Sequence, residues 1–262
     1  MSQLIAYDPV IHRIGKKEPK HDPRTLQFAK YLTALPPIPA KRAWSAKASP
    51  DFGLMLNDKL GDCTCAGMGH GVQIWTAANG NEITPPDADI LNAYEGACHY
   101  NPADPSSDQG GIELDVLNWW TKNPVGGVTI DAFTALEPGN HKHVEAAIDL
   151  FGFAYIGVAL PISAQNQIGG IWSIVRGPNS APGSWGGHCV IVVDYDEKLK
   201  QFVCVTWGKT QRMTYAWWDR YTDEAYACLS EAWATTKPGD LAPSGFDYAA
   251  LQSDLGALRA AA

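Results

Sequence analysis

The sequence predicts an α+β fold, in which a helical lobe packs against an antiparallel β-sheet or barrel lobe and leaves a cleft between them. The predicted helices come first in the chain and most predicted strands come after residue 125, an order that favours segregated helices and strands. The chain has 262 residues, of which 45% are hydrophobic and 18% charged, which is enough to bury a large core. A cleft between two such lobes is a common place for a functional site.

The first half of the chain carries start and stop signals of helices. An Asp-Pro pair predicts a helix over 22–34, because aspartate is a good N-cap and proline suits the first helical position. A second helix is predicted over 63–78, with Asp62 as its N-cap and an Asn-Gly pair behind it. Similar signals predict helices over 85–96 and 112–122.

The second half has shorter apolar runs rich in β-branched and aromatic residues, which are typical of strands. We predict strands over 153–160, 189–194, 201–207 and 225–229, the second and third forming a hairpin. Three helices are predicted among them: a short one over 144–150, one capped by Thr214 that runs to Tyr221, and a last one to about 261.

The predicted organisation has two parts. Residues 1–43 form an N-terminal arm and helix, and residues 44–262 form the main domain. Within that domain the helical lobe takes about 44–140, the β lobe about 141–236 and a C-terminal helix 237–262. We call the charged, irregular residues 1–21 the arm, and expect the arm to be flexible or to wrap around the body of the protein.

Charge and hydropathy exclude several classes of function. The net charge of −8 argues against a broad basic face, so we expect no nucleic-acid partner. The longest apolar stretch, 150–162, is too short to span a bilayer, and the N-terminus lacks the features of a secretory signal. We therefore expect a cytoplasmic protein with no membrane partner, whose six cysteines are free thiols.

Cys63 is the strongest candidate for chemistry. It stands at a predicted helix start, where free N–H groups and the helix dipole stabilise a thiolate and lower the thiol pKa. The alternative is that Cys63 is a small buried apolar residue, as free cysteines usually are. His188 directly precedes an apolar strand and is placed to face a cleft.

A metal site is a weaker interpretation of the same region. Cys63, Cys65 and His70 are close in sequence, but the Cys-x-Cys spacing lacks a second pair of ligands at a zinc-finger distance. We expect neither a metal nor another cofactor.

Several segments match known motifs in order. The motif Asp-Trp-Arg is similar to residues 44–47, and Asn-Gln-Gly-x-Cys-Gly-Ser-Cys is similar to 56–63. A Gly-Gly turn with its helix matches 110–122, and a segment ending in Gly-Pro-Val-Ser-Val-Ala-Ile matches 144–160. The motif His-Ala-Val-x-x-Val-Gly-Tyr is similar to 187–195, and Asn-Ser-Trp-Gly is similar to 205–208. Together they resemble the papain-like cysteine peptidase superfamily over most of the chain, and the chain is identified as a divergent member.

The resemblance implies roles for individual residues. Cys63 is implied to be the nucleophile, and His188 its general base and later its general acid. Asn57, six positions before the nucleophile, and the Cys63 backbone N–H are the implied oxyanion donors. The resemblance also implies three substrate-binding residues: Trp207, Gly187 and Gly111.

The sequence departs from the family pattern in places. Val205 stands where the family has the asparagine that orients the histidine. Thr206, one residue on, can bond His188 if the strand carries a bulge or register shift, and Asp194 is the other candidate. Leu60 replaces a family cysteine, so one family disulfide cannot form.

These residues lead to a function with alternatives. We expect a thiol-dependent hydrolase, a peptidase or amidase, that acts on a peptide or amide substrate through an acyl-enzyme. The same site can instead transfer the acyl group to an amine, as an acyltransferase or transpeptidase does. A catalytically silent binding module is the third possibility, because Val205 replaces the orienting residue. The segment before Trp44 is either an arm that packs along the helical lobe, which we favour, or a short inhibitory pro-segment.

Overall fold

The computed structural model describes residues 6–31, 37–233 and 242–245. Its helices are α1 Phe28–Tyr31, α2 Cys63–Ala78, α3 Asp87–Cys98, α4 Glu113–Trp120, α5 His141–Phe151 and α6 Tyr215–Tyr221. Its strands are β1 Lys41–Ala43, β2 Ala132–Ala135, β3 Ala154–Leu160, β4 Ile171–Trp172, β5 Gly186–Asp196, β6 Gln201–Thr206, β7 Lys209–Thr214 and β8 Thr222–Leu229. Within these ranges no helix has the length and apolarity needed to cross a membrane.

Helix α2 has the predicted bounds and lies at the centre of the core. Almost every residue of this helix is buried, because it is apolar on all sides rather than on one stripe. A Cβ atom at Gly71 would come within 2.6 Å of the Phe153 ring, and one at Gly67 within 3.1 Å of the Tyr155 ring. The two glycines therefore let α2 lie directly on the start of β3.

The strands form one mixed sheet in the order β2-β8-β3-β5-β6-β7-β4, with β1 paired to β5. All pairings are antiparallel except that of β4 with β7, and the β5–β6 hairpin is as predicted. The β5–β6 register shifts between Val192 and Asp194. The α+β prediction is thus confirmed, and β1 and β2 add strands from outside the predicted β lobe.

Three helices begin at other residues than predicted, and strands β5 and β8 each begin three residues earlier than predicted. The first helix begins at Phe28 rather than near Asp22, because the Asp22 carboxylate accepts the Arg24 backbone N–H and so closes a local turn. Helix α3 begins at Asp87, since Pro86 before it is extended. Helix α5 begins at His141, where the side chain of Asn140 caps it. Residues 32–36 and the predicted last helix from 246 onward lie outside the described residues.

Residues 13–17 of the arm lie across the cleft, whereas the sequence favoured packing along the helical lobe. The Lys16 backbone N–H donates to the Gly187 carbonyl of β5 (3.0 Å). On the other side, the Lys17 N–H donates to the Gly111 carbonyl (2.8 Å), beside the start of α4. Backbone groups on both sides of the cleft accept hydrogen bonds from this stretch of the arm, which holds it between the helices and the sheet.

Candidate active site

The Cys63 thiol lies where the start of α2 meets β5. Its Sγ atom accepts the backbone N–H of Cys189, the residue after His188, at an N···S distance of 3.4 Å. Only 1% of Cys63 is exposed. The packing of α2 on β5 therefore brings the predicted nucleophile to the strand that carries the predicted base.

The imidazole of His188 is held on two sides. Its Nε2 atom lies 2.7 Å from Thr206 Oγ1. Its ring stacks on the Trp207 indole, with 4.5 Å between ring centroids and 12° between planes. Nδ1 is buried and has no hydrogen-bond partner in the described part of the chain. The contacts fix the ring and leave one nitrogen free.

Thr206, rather than Asp194, occupies the position beside the histidine. The Asp194 carboxylate instead accepts the backbone N–H (2.9 Å) and the hydroxyl (2.5 Å) of Ser45. The sequence predicted a contact of Thr206 with His188 only if the strand carries an irregularity. Strand β5 has such an irregularity between Val192 and Asp194. Such an extra residue changes which side chains of the paired strands meet.

Asn57 is close to the nucleophile, but its amide protons are engaged. Nδ2 donates to Asp62 Oδ1 (3.2 Å) and to the Leu60 carbonyl (3.3 Å). Asp62 stands at the N-cap position of α2 without capping it through its side chain, contrary to the prediction. Desolvation raises the pKa of Asp62 well above its ordinary value, which favours a protonated carboxyl beside Cys63.

Residues 13–16 of the arm cover the thiol, an arrangement that the sequence suggested only as the less favoured alternative. The Gly15 carbonyl accepts the Gly111 backbone N–H (2.9 Å), and the Arg13 carbonyl accepts the Trp207 indole N–H (2.8 Å). With the Lys16–Gly187 bond, each of the three residues expected to bind substrate thus holds the arm. The only signal of this contact in the sequence was Gly15, a glycine within a charged segment. A glycine there lets the backbone approach another segment closely.

Burial sets the charge state of the pair in this closed arrangement. Desolvation raises the pKa of the Cys63 thiol to about 12 and lowers the pKa of His188 to about 3. This reverses the expected lowering of the thiol pKa, because burial outweighs the helix terminus. Both groups are therefore neutral at pH 7 while the arm is in place.

His188 is expected to stay neutral as the pH falls from 7 to 5. A folded-state pKa below the ordinary 6.5 keeps the proton off through this range, whereas an exposed histidine gains it. Nitrogen chemical shifts of the imidazole, measured by NMR, report this directly. A His188 transition near pH 6.5 would contradict the burial described here.

The metal interpretation gains no support from the geometry. His70 Nε2 lies 3.1 Å from the Gly53 carbonyl, inside the core. Among residues 6–31, 37–233 and 242–245, no group of three or more His, Cys, Asp or Glu side chains is arranged to hold a metal ion.

The architecture is that of the papain-like cysteine proteases. Solved structures with this fold include xylellain, a cysteine protease from Xylella fastidiosa (15% identity, TM-score 0.60, 86% of this chain and 96% of that one). The digestive procathepsin L 3 of Tenebrio molitor aligns at 12% identity and TM-score 0.52, over 84% of this chain and 77% of its own. The cysteine protease and lectin-like domains of Cwp84 from Clostridium difficile align at 10% identity and TM-score 0.57, over 84% of this chain and 56% of their own.

These comparisons confirm the predicted resemblance at the level of the fold. No protein-family model matches the sequence, and no curated protein sequence matches it either. At such low identities the likeness establishes the fold alone.

Proposed function

We propose that this protein is a thiol-dependent peptidase or amidase that acts through Cys63, His188 and a thioester acyl-enzyme. One observation carries the proposal: the Cys63 thiol meets β5 beside His188, whose ring is fixed by Thr206 and Trp207. A nucleophile, a neighbouring base and a group that orients the base are the parts that acyl transfer requires.

The proposed reaction has two steps. With Nε2–H donating to Thr206 Oγ1, Nδ1 is the free base that takes the Cys63 proton. The thiolate then attacks the substrate carbonyl carbon, the C–N bond breaks, and His188 returns the proton to the departing amine. Water, activated by the same nitrogen, hydrolyses the thioester to a free acid and regenerates the thiol.

The developing oxyanion needs N–H donors. Cys63 is the first residue of α2, so its backbone N–H has no intrahelical acceptor and lies at the positive end of the helix dipole. Asn57 becomes the second donor in our proposal when one of its two bonds, to Asp62 or Leu60, is exchanged for the oxyanion.

The arm is inhibitory in this proposal. Backbone groups of Arg13, Gly15 and Lys16 use the hydrogen-bonding atoms that a substrate chain would need. Substrate and arm therefore compete for one cleft, and turnover requires the arm to move. The contacts at the cleft support this interpretation over the packing segment that we first favoured.

Product analysis tests the reaction class. The full chain is incubated with fluorogenic peptide amides, with and without an added primary amine. Free acid as the only product supports a hydrolase, and an amide of the added amine supports an acyltransferase. If neither product forms with any peptide, even when the arm is weakened as described in the Discussion, the proposed activity is wrong and a binding module remains.

Thr206→Val is expected to lower kcat/KM by about five-fold, because loss of one hydrogen bond, worth about 1 kcal/mol, frees the His188 ring. Valine keeps the shape of threonine, so the fold should survive. The matched control is Thr134→Val, which removes a hydroxyl bonded to the Leu26 carbonyl away from the site. Equal losses of activity in the two variants would contradict a role for Thr206 in orienting His188.

A further inference from the structure

A lysine of the arm is buried in a pocket of carboxylates. The Lys16 side chain is 1% exposed, and its Nζ atom lies 3.0 Å from Asp223 Oδ2 and 3.0 Å from Glu224 Oε1. The charge of Glu113 acts on the same ammonium group. Lysine is almost never fully buried unless paired, so the pocket is built around a cation.

The pocket holds three carboxyl groups for one ammonium group. Glu113 is 0% exposed, and among the described residues its carboxyl oxygens have no N–H or O–H donor, only the Cys189 thiol beside them. Burial raises the pKa of Glu113 well above its ordinary value. Asp223 is 28% exposed and lies at the solvent side. Gly157 provides room, since a Cβ atom there would lie 2.0 Å from Lys16 Cε. Three carboxyl groups thus lie around the buried ammonium group of Lys16.

The pocket is next to the reacting thiol. Gly15, the residue before Lys16, presents its backbone N–H to the Cys63 thiol. The Lys16 backbone is fixed to Gly187 by a hydrogen bond and is paired with Gly111. A chain laid along these two glycines therefore places one side chain in the pocket and the adjacent residue at the nucleophile.

We propose that Glu113, Asp223 and Glu224 form a specificity pocket that selects a lysine or arginine side chain of the substrate, one residue away from the residue at the thiol. Lys16 is the built-in occupant of this pocket in the closed chain. This assignment rests on the proposed function, whose substrate it narrows to basic peptides. A neutral side chain would leave buried carboxylates without a cation, and a site built for a charge rejects ligands that lack it.

The first test needs no catalysis. Lys16→Ala empties the pocket in the full chain, and n-butylammonium has the shape and charge of the missing side chain. We expect n-butylammonium to raise the Tm of Lys16→Ala but not that of the wild type, and 1-butanol to raise neither. Lys16→Met, which keeps most of the stem, serves if the alanine variant does not fold. An equal response of variant and wild type, or no response, would overturn the pocket.

The second test measures selectivity in turnover. In a peptide series, one lysine is moved along the sequence, and each peptide has a partner with norleucine at that position. We expect one position at which lysine raises kcat/KM at least about ten-fold over norleucine. Asp223→Asn should reduce this ratio. Asp115→Asn should leave the ratio unchanged, because Asp115 lies outside the pocket and pairs with Lys20 of the arm.

The outcomes separate the two proposals. Equal cleavage of lysine and norleucine peptides overturns the pocket and leaves the thiol peptidase in place. A Tm response to n-butylammonium without cleavage of any peptide supports the pocket and overturns the peptidase.

Discussion

Cys63→Ala is expected to abolish peptide cleavage, with a loss in kcat/KM of at least about 10³-fold. Alanine removes the only atom that can form the thioester, while the backbone N–H that receives the oxyanion stays in place. The loss is measured with the peptide amides described above. Cys204→Ala is the matched control, because Cys204 is another buried free thiol, on β6, with no role in the proposed chemistry.

His188→Ala is expected to cause a comparable loss, because the thiol is then left without a proton acceptor. The two losses should not add, so the double variant should resemble Cys63→Ala alone. If His188→Ala kept a tenth or more of the wild-type activity, the two residues would not act as a pair.

Gly15→Ala is expected to speed alkylation of Cys63 by iodoacetamide about 100-fold. The new Cβ would lie 1.9 Å from the Gly61 carbonyl oxygen, so the closed arm cannot keep its position. An overpacked contact of this kind costs about 1–3 kcal/mol. About 3 kcal/mol raises the population of the open arm roughly 100-fold. Mass spectrometry of the peptide that contains Cys63 gives the rate.

The control for this variant is Gly139→Ala, because a Cβ at Gly139 meets no atom within 4 Å. Peptide cleavage by Gly15→Ala should rise in parallel with alkylation, since both need the same opening. Unchanged alkylation would show that the arm does not limit access to the thiol. Faster alkylation with slower cleavage would show that the arm supports the site rather than blocking it.

The parts of the site that were predictable are those that local sequence determines. The bounds of α2 follow from the apolar run between Asp62 and Asn79, and they place Cys63 at a helix start. The apolar run that follows His188 and the polar turn behind it define the β5–β6 hairpin. The contact of Thr206 with His188 was predicted only as one option, because a strand irregularity has no reliable local signal.

The rest depends on contacts between distant segments. Nothing near Lys16 in sequence shows that it pairs with Asp223 and Glu224, which follow more than two hundred residues later. Charged residues are usually exposed, so the charge of Lys16 gave no sign that its side chain is buried. The neutral state of the Cys63 thiol was not predicted for the same reason: its burial depends on distant segments. That burial, and not the helix terminus, determines the pKa of Cys63 here.

Intact-mass spectrometry during turnover tests the pairing of Cys63 with His188 most directly. The Gly15→Ala chain is mixed with a peptide methyl ester and quenched in acid within the first turnovers. Our account predicts a mass increase equal to the peptide acyl group, located on Cys63, because the thiolate displaces methanol to form a thioester. The same experiment with His188→Ala added should show no increase. Hydrolysis of the ester without an adduct, or with an adduct on another residue, would contradict it.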